Sequence, residues 1–141
     1  MSDIVARVEA VCLSTPGVRI AKAPQEEAFL GPHGFVGDRH EAEYLRDRWG
    51  RVFPNNRQWS AVSVEEVASL CADMGVPMFE PGELGENLLL SGITLADVPA
   101  GAEIEFASGA RLLVAGQNDP CVNAARDLAR KYGPVAGQYF V

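Results

Sequence analysis

The chain has no apolar run long enough to span a bilayer, and Met1-Ser2-Asp3-Ile4 lacks the basic and apolar regions of a signal peptide. Cysteine is scarce: three residues, an odd number for a disulfide framework, at spacings that fit no zinc motif. Histidine is scarcer still. His33 and His40 alone argue against a three-ligand zinc hydrolase, and neither has an identifiable orienting partner for a papain-like cysteine hydrolase. Positive charge is in deficit, with a net charge of −7, which disfavours wholesale binding of nucleic acid or anionic lipid. Internal repeats, low-complexity segments and a βαβα rhythm are also missing. A reducing cytoplasm is the expected location, with neither nucleic acid nor membrane as partner.

What is present suits one domain over residues 1–141: 48% hydrophobic residues, 22% charged, and fourteen glycines and nine prolines that favour short strands and turns. Alternation over 6–12 predicts a first strand with Cys12 on its apolar side. Val18 to Ala23 forms a second strand, ended by Pro24. Ser63 and Glu66 make a capping box for a helix bearing Val67, Cys71 and Met74, which Gly75 stops; Cys71 reads as packing. Met78 and Phe79 are expected core anchors. Asn87 to Leu90 reads as a buried strand, and Glu103–Phe106 with Arg111–Ala115 as a hairpin. Gln138 to Val141 begins another extended run, so the chain is expected to stop mid-strand, as a truncated or unusually short domain would. Seven or eight strands and two modest helices favour a closed or nearly closed barrel capped by helices.

Three stretches carry the chemistry. In Gln117-Asn118-Asp119-Pro120-Cys121, Asp119 suits an N-cap and Pro120 the first helical position, with Val122 to Lys131 as the helix. Cys121 then falls in a first turn, where free N–H groups and the dipole favour a thiolate. The glycine-rich loop at 31–40 ends in Asp38-Arg39-His40, which suits either a salt-bridged turn or a ligand-binding loop. Five arginines crowd 39–57, a local positive patch suited to a small anion; Arg57, beside a strand, is the stronger candidate, and Arg46 and Arg48 read as a solvated face. Trp49, Phe53 and Trp59 are expected to pack this segment down.

Gly34-Phe35-Val36-Gly37-Asp38-Arg39-His40, Pro81-Gly82-Glu83-Leu84-Gly85-Glu86-Asn87-Leu88 and Pro120-Cys121, with Gly92-Ile93, Leu95 and Gly101 between the last two, closely resemble the MOSC domain of molybdenum cofactor sulfurases. The nearest type is the standalone bacterial one. The resemblance covers about Val5 to Tyr132 and implies a mostly β fold related to the pyruvate kinase β-barrel domain. It also implies a pocket for the molybdenum–molybdopterin cofactor, with Cys121 ligating molybdenum or carrying sulfur. The implied cofactor-binding set is Asp38, Arg39, His40, Arg57, Glu86, Asn87 and Asn118. The insert from Tyr44 to Asn56 is longer and richer in arginine than the resemblance implies.

The expected function is that of an oxidoreductase reducing N-hydroxylated compounds through a cofactor ligated by Cys121. The alternative is a sulfur carrier holding a persulfide on Cys121 for cofactor or metal–sulfur cluster sulfuration. A scaffold that binds nothing is the bland third. Expected partners are a small-molecule cofactor and substrate, a cysteine desulfurase or electron-transfer protein, and a second copy in a homodimer. No desulfurase segment accompanies the domain in this sequence.

Overall fold

The computed structural model describes residues 3–118 and 122–133; Cys121, the expected cap at 119–120 and the expected last strand at 138–141 lie outside them. The framework is a four-stranded sheet. It comprises β1 (Arg7–Ser14), β2 (Lys22–Gln25), β7 (Ala61–Ser63) and β8 (Leu88–Ser91), in the order β2-β1-β8-β7. β1 runs antiparallel to both β2 and β8, with a register shift between Val8 and Ala10. β8 pairs parallel with β7. Three two-stranded ribbons surround this sheet: β3 (Leu30–Gly31) with β4 (Gly34–Phe35), β5 (Tyr44–Arg46) with β6 (Val52–Pro54), and β9 (Glu103–Glu105) with β10 (Arg111–Leu113).

Three expectations need correction. The fold is mostly β with two helices, but among the described residues no sheet closes into a barrel; the ribbons are two and three residues long and pair only with themselves. The link from β7 to β8 is a βαβ crossover through helix α1 (Val64–Met74), although no alternating rhythm marks it in the sequence. β2 also starts later than Val18 and runs through Pro24, which sits opposite Cys12. β2 is an edge strand, where a proline's missing N–H leaves no ladder bond unmade.

α1 forms where the capping box predicts it. The Glu66 N–H donates to Ser63 Oγ (3.1 Å), and Gly75 ends the helix in the left-handed region at φ 70°. The Glu66 carboxylate takes Ser63 Oγ–H (2.8 Å) and also the N–H groups of Leu95 (2.7 Å) and Ala96 (3.3 Å). The cap thus ties down the 3-10 turn Leu95–Asp97.

The core has two parts. Leu88 and Leu90, on one face of β8, meet Phe35 of β4 and Leu112 of β10, with Val11, Trp59 and Ile104 packed around them. The second part lies between the helices: Val67 and Cys71 of α1, Phe79, and Leu128 of helix α2 (Val122–Tyr132), whose Tyr132 ring lies 5.2 Å from that of Phe79. Cys12 and Cys71 are buried, as the alternation and helical spacing indicate, and Trp59 packs on the core. Met78, Trp49 and Phe53 are exposed instead.

Gly82 shows how tightly the chain is threaded. At φ 85° a Cβ would run into the Lys22 carbonyl oxygen and sit 3.2 Å from Cys12 Sγ. At Gly109, also left-handed at φ 92°, nothing lies within 4 Å. Gly109→Ala is therefore expected to cost only the left-handed backbone penalty, roughly 1–2 kcal/mol. Gly82→Ala is expected to cost well beyond that, measured by chemical denaturation of the two variants side by side.

Candidate functional site

β2, the loop after β4 and the residues just before β8 converge on one buried amine. Lys22 Nζ donates to Asp38 Oδ2 (3.0 Å) and Asn87 Oδ1 (3.3 Å), and lies 3.0 Å from His40 Nδ1. The side chains of Lys22 and Asp38 are fully buried, whereas that of His40 is 43% exposed. His40 Nδ1 also lies 3.5 Å from Asp38 Oδ2, so its tautomer sets whether it accepts from the Lys22 ammonium or donates to the carboxylate. Asp38 also takes the N–H groups of Ser14 (2.8 Å) and His40 (3.1 Å), which closes the loop onto the end of β1.

Electrostatics follow from this geometry. Burial works to raise the Asp38 pKa, but hydrogen bonds from His40, the Ser14 N–H and Lys22 outweigh it and hold the carboxyl well below its ordinary value. Burial lowers the pKa of Lys22, and Asp38 opposes that. Glu86 is pushed up by burial, partly offset by the N–H groups of Gly82 (2.9 Å) and Leu84 (3.1 Å) donating to its carboxylate. Burial, reinforced by the Glu86 charge, raises the Cys12 thiol to about 11.

The sequence-derived site residues divide accordingly. Asp38, His40 and Asn87 meet around Lys22. Asn87 also donates to the Cys12 carbonyl (3.0 Å), and its Oδ1 accepts from the Ser60 N–H (3.2 Å). Glu86 folds back on the 82–84 turn. Arg39 turns its guanidinium to the carbonyls of Val18 (2.8 Å) and Ile20 (3.5 Å). Arg57 and Asn118 are exposed, and Cys121 lies outside the described residues. Sequence reasoning missed Lys22 as the hub. Its one signal was a charged residue inside the short apolar run Ile20-Ala21-Lys22-Ala23.

Two surface cavities adjoin the network. One, of about 370 Å³, lies between β2, the 80–83 turn and α2; the other, of about 340 Å³, lies between the 14–18 turn and Gly37–Arg39. A phosphate-bearing pterin calls for cationic groups with free hydrogen-bonding capacity. Lys22 is held by Asp38 and Asn87, Lys131 of the larger cavity by Glu83, and Arg39 is turned to carbonyls; Glu80 and Asp127 line that cavity too. Among the described residues no buried side-chain nitrogen or oxygen lacks a partner, and no three His, Cys, Asp or Glu side chains group to hold a metal. The cations that line the two cavities are therefore already engaged, a poor match for a pterin phosphate; Arg57 is exposed and lines neither cavity.

Removing one member of a buried ion pair strands the other, at a cost of about 3–5 kcal/mol. Asp38→Asn is expected to cost about that much, and adding Lys22→Met is expected to recover part of it in a double-mutant cycle. Because folding lowers the Asp38 pKa, its contribution is complete above its ordinary value of 3.8 and is lost as pH falls through the folded value. Glu86, with a raised pKa, works in the opposite sense. The difference in unfolding free energy between wild type and Asp38→Asn, followed from neutral to acid pH, is therefore expected to shrink below that value.

The profile of the MOSC domain matches residues 40–138, so Lys22 and Asp38 precede the matched stretch. YuaD of Bacillus subtilis (strain 168), named for metal-sulfur cluster biosynthesis, is 42% identical over 108 residues, which is 70% of this chain and 56% of YuaD. The chain thus spans little more than half the length of that curated relative. The crystal structure of YuaD from Bacillus subtilis superposes with a TM-score of 0.88 at 29% identity, over 96% of this chain and 80% of that one. YiiM from Geobacillus stearothermophilus has the same fold, with a TM-score of 0.62 at 21% identity, over 94% and 61% of the two chains. With more than half of its length matched by the family profile, this chain belongs to the MOSC domain family.

Proposed function

We propose that the protein is a sulfur carrier for metal–sulfur cluster or cofactor assembly, with Cys121 holding the transferred sulfur as a persulfide. The observation that carries this is the state of the other two cysteines. Cys12 is fully buried with its thiol pushed up to about 11, and Cys71 is sealed in the core between the helices. Neither can serve as an accessible thiolate nucleophile. Cys121 immediately precedes α2 in the sequence, and Arg130 and Lys131 complement that helix's dipole at its far end. Kinship with YuaD, named for metal-sulfur cluster biosynthesis, supports a sulfur-handling role over other chemistries.

The step requires no external oxidant or reductant. The Cys121 thiolate attacks the terminal sulfur of a donor persulfide, such as that of a cysteine desulfurase. The donor's S–S bond breaks, the donor cysteine leaves as thiolate, and Cys121 retains the sulfur for a second exchange of the same kind. A reductase acting on N-hydroxylated compounds would instead need the molybdenum–molybdopterin cofactor, with Cys121 as metal ligand. The engaged cations of the two cavities, a poor match for a pterin phosphate, give that reading less support.

Incubation with a cysteine desulfurase and cysteine is expected to add one sulfur atom to the wild type by intact mass spectrometry. The addition should vanish in Cys121→Ala and persist in Cys71→Ala. An unmodified wild type would overturn the carrier assignment. Stoichiometric molybdenum and pterin, lost in Cys121→Ala, would transfer support to the reductase.

A further inference from the structure

Half of the first strand is paired on one side only. β2 covers β1 from Ser14 as far as Val11, where it ends at Gln25. Beyond that point the chain turns inward, and Ala28 packs on the core. Arg7 to Ala10 therefore pair with β8 alone, and among the described residues no strand lies on their other side. In an antiparallel ladder, alternate residues turn their N–H and C=O groups to opposite neighbours. This half of β1 thus presents backbone donors and acceptors to open space.

The side chains mark the same opening. Val8 pairs with Leu90, and paired residues share a side of the sheet. Leu90 is 3% exposed in the core, whereas Val8 is 43% exposed, so the core is uncovered at this edge. Immediately upstream, Ile4 and Val5 are exposed as well, Val5 almost fully.

Two charges restrict what pairs here. Glu9 is the extra residue at the register shift: Val8 meets Leu90, Ala10 meets Leu89, and Glu9 has no β8 partner. Its carboxylate accepts from Ser91 Oγ (2.7 Å) and lies 3.8 Å from Arg7 Nε, which places Arg7 and Glu9 on one face. The Arg7 side chain is 83% exposed. A bulge and charged side chains guard an edge against indiscriminate pairing, yet Arg7-Val8-Glu9 leaves one self-complementary register. Laid antiparallel on its own copy about Val8, the strand sets Arg7 opposite the partner's Glu9 and Glu9 opposite the partner's Arg7. Centring the pair on Arg7 or on Glu9, or running the strands parallel in register, sets like charges against each other.

We infer that the open edge of β1 is a dimer interface, in which the strands of two copies pair antiparallel about Val8. The contact is isologous: the two-fold axis passes between the two Val8 residues, and every other residue pair occurs twice. The two four-stranded sheets join through β1, and each Val8 gains the other as cover. Val5 would fall opposite the partner's Val11, whose outer side is taken by Gln25. Ile4 and Val5 accordingly leave the sheet there and lie over the partner's β2. The inference does not depend on the sulfur-carrier reading.

Charge reversal tests the pairing on the full chain. In sedimentation equilibrium, wild type is expected to be dimeric. Arg7→Glu sets glutamates opposite glutamates, and Glu9→Arg sets arginines opposite arginines. Each is expected to weaken the self-dimer by about tenfold, as two cross-strand pairs turn repulsive. An equimolar mixture of the two variants is expected to form a heterodimer as tight as the wild-type dimer. The double variant, Arg7→Glu with Glu9→Arg, is expected to self-associate again. Arg7 and Glu9 are exposed, so unchanged circular dichroism and melting should show that each variant folds. A monomeric wild type, a dimer indifferent to the single reversals, or failure of the two single variants to pair would overturn the inference.

Discussion

The buried contact between Lys22 and Asp38 is the constraint on which this architecture turns. It fastens the edge strand β2 to the loop after β4, and through Asn87 it fastens both to the start of β8. These segments are far apart in sequence, and the ribbons around them are too short to hold by ladder bonds alone. A lysine amine and a carboxylate withdrawn from water are tolerable only if every hydrogen and lone pair finds a partner. Here the loops fold so that they do. Ser14, His40, Asn87 and Ser60 are each placed by that demand, and Gly82 is required because Lys22's backbone passes where a side chain would be.

This network bears on how reactive groups are distributed. By ordering the interior around Lys22, the fold seals Cys12 beside Glu86 and makes it a poor nucleophile. Cys71 is sealed in the second core by helix packing. The interior cysteines are thereby withdrawn from reaction, and the proposed sulfur transfer rests on Cys121, which precedes α2 in the sequence. In the same way, Glu86 and Asn87 support the turn and Cys12 and present no free polar edge, so the glycine-rich motif they belong to serves the framework.

The hairpin at 44–54 follows a different logic. Its polar groups are satisfied within the turn, its aromatic surface is left outside, and its charge opposes that of the remaining chain.

The sequence by itself determined the local features. The Ser63 cap and Gly75 stop, the β9–β10 hairpin, the burial of Cys12 and Cys71, and the family all followed from spacing, turn residues and short motifs. Local chemistry suffices there, because a cap or a tight turn is made by residues within a few positions of each other. What only the tertiary structure decided were the pairings between distant segments. Among them are the parallel β7–β8 crossover, the strands that do not close among the described residues, the exposure of Trp49, and the meeting of Asp38, His40 and Asn87 at a lysine with no motif around it. A buried ion pair leaves almost no trace in sequence, since each partner alone resembles a surface charge, and it becomes a site only when folding brings the two together away from water.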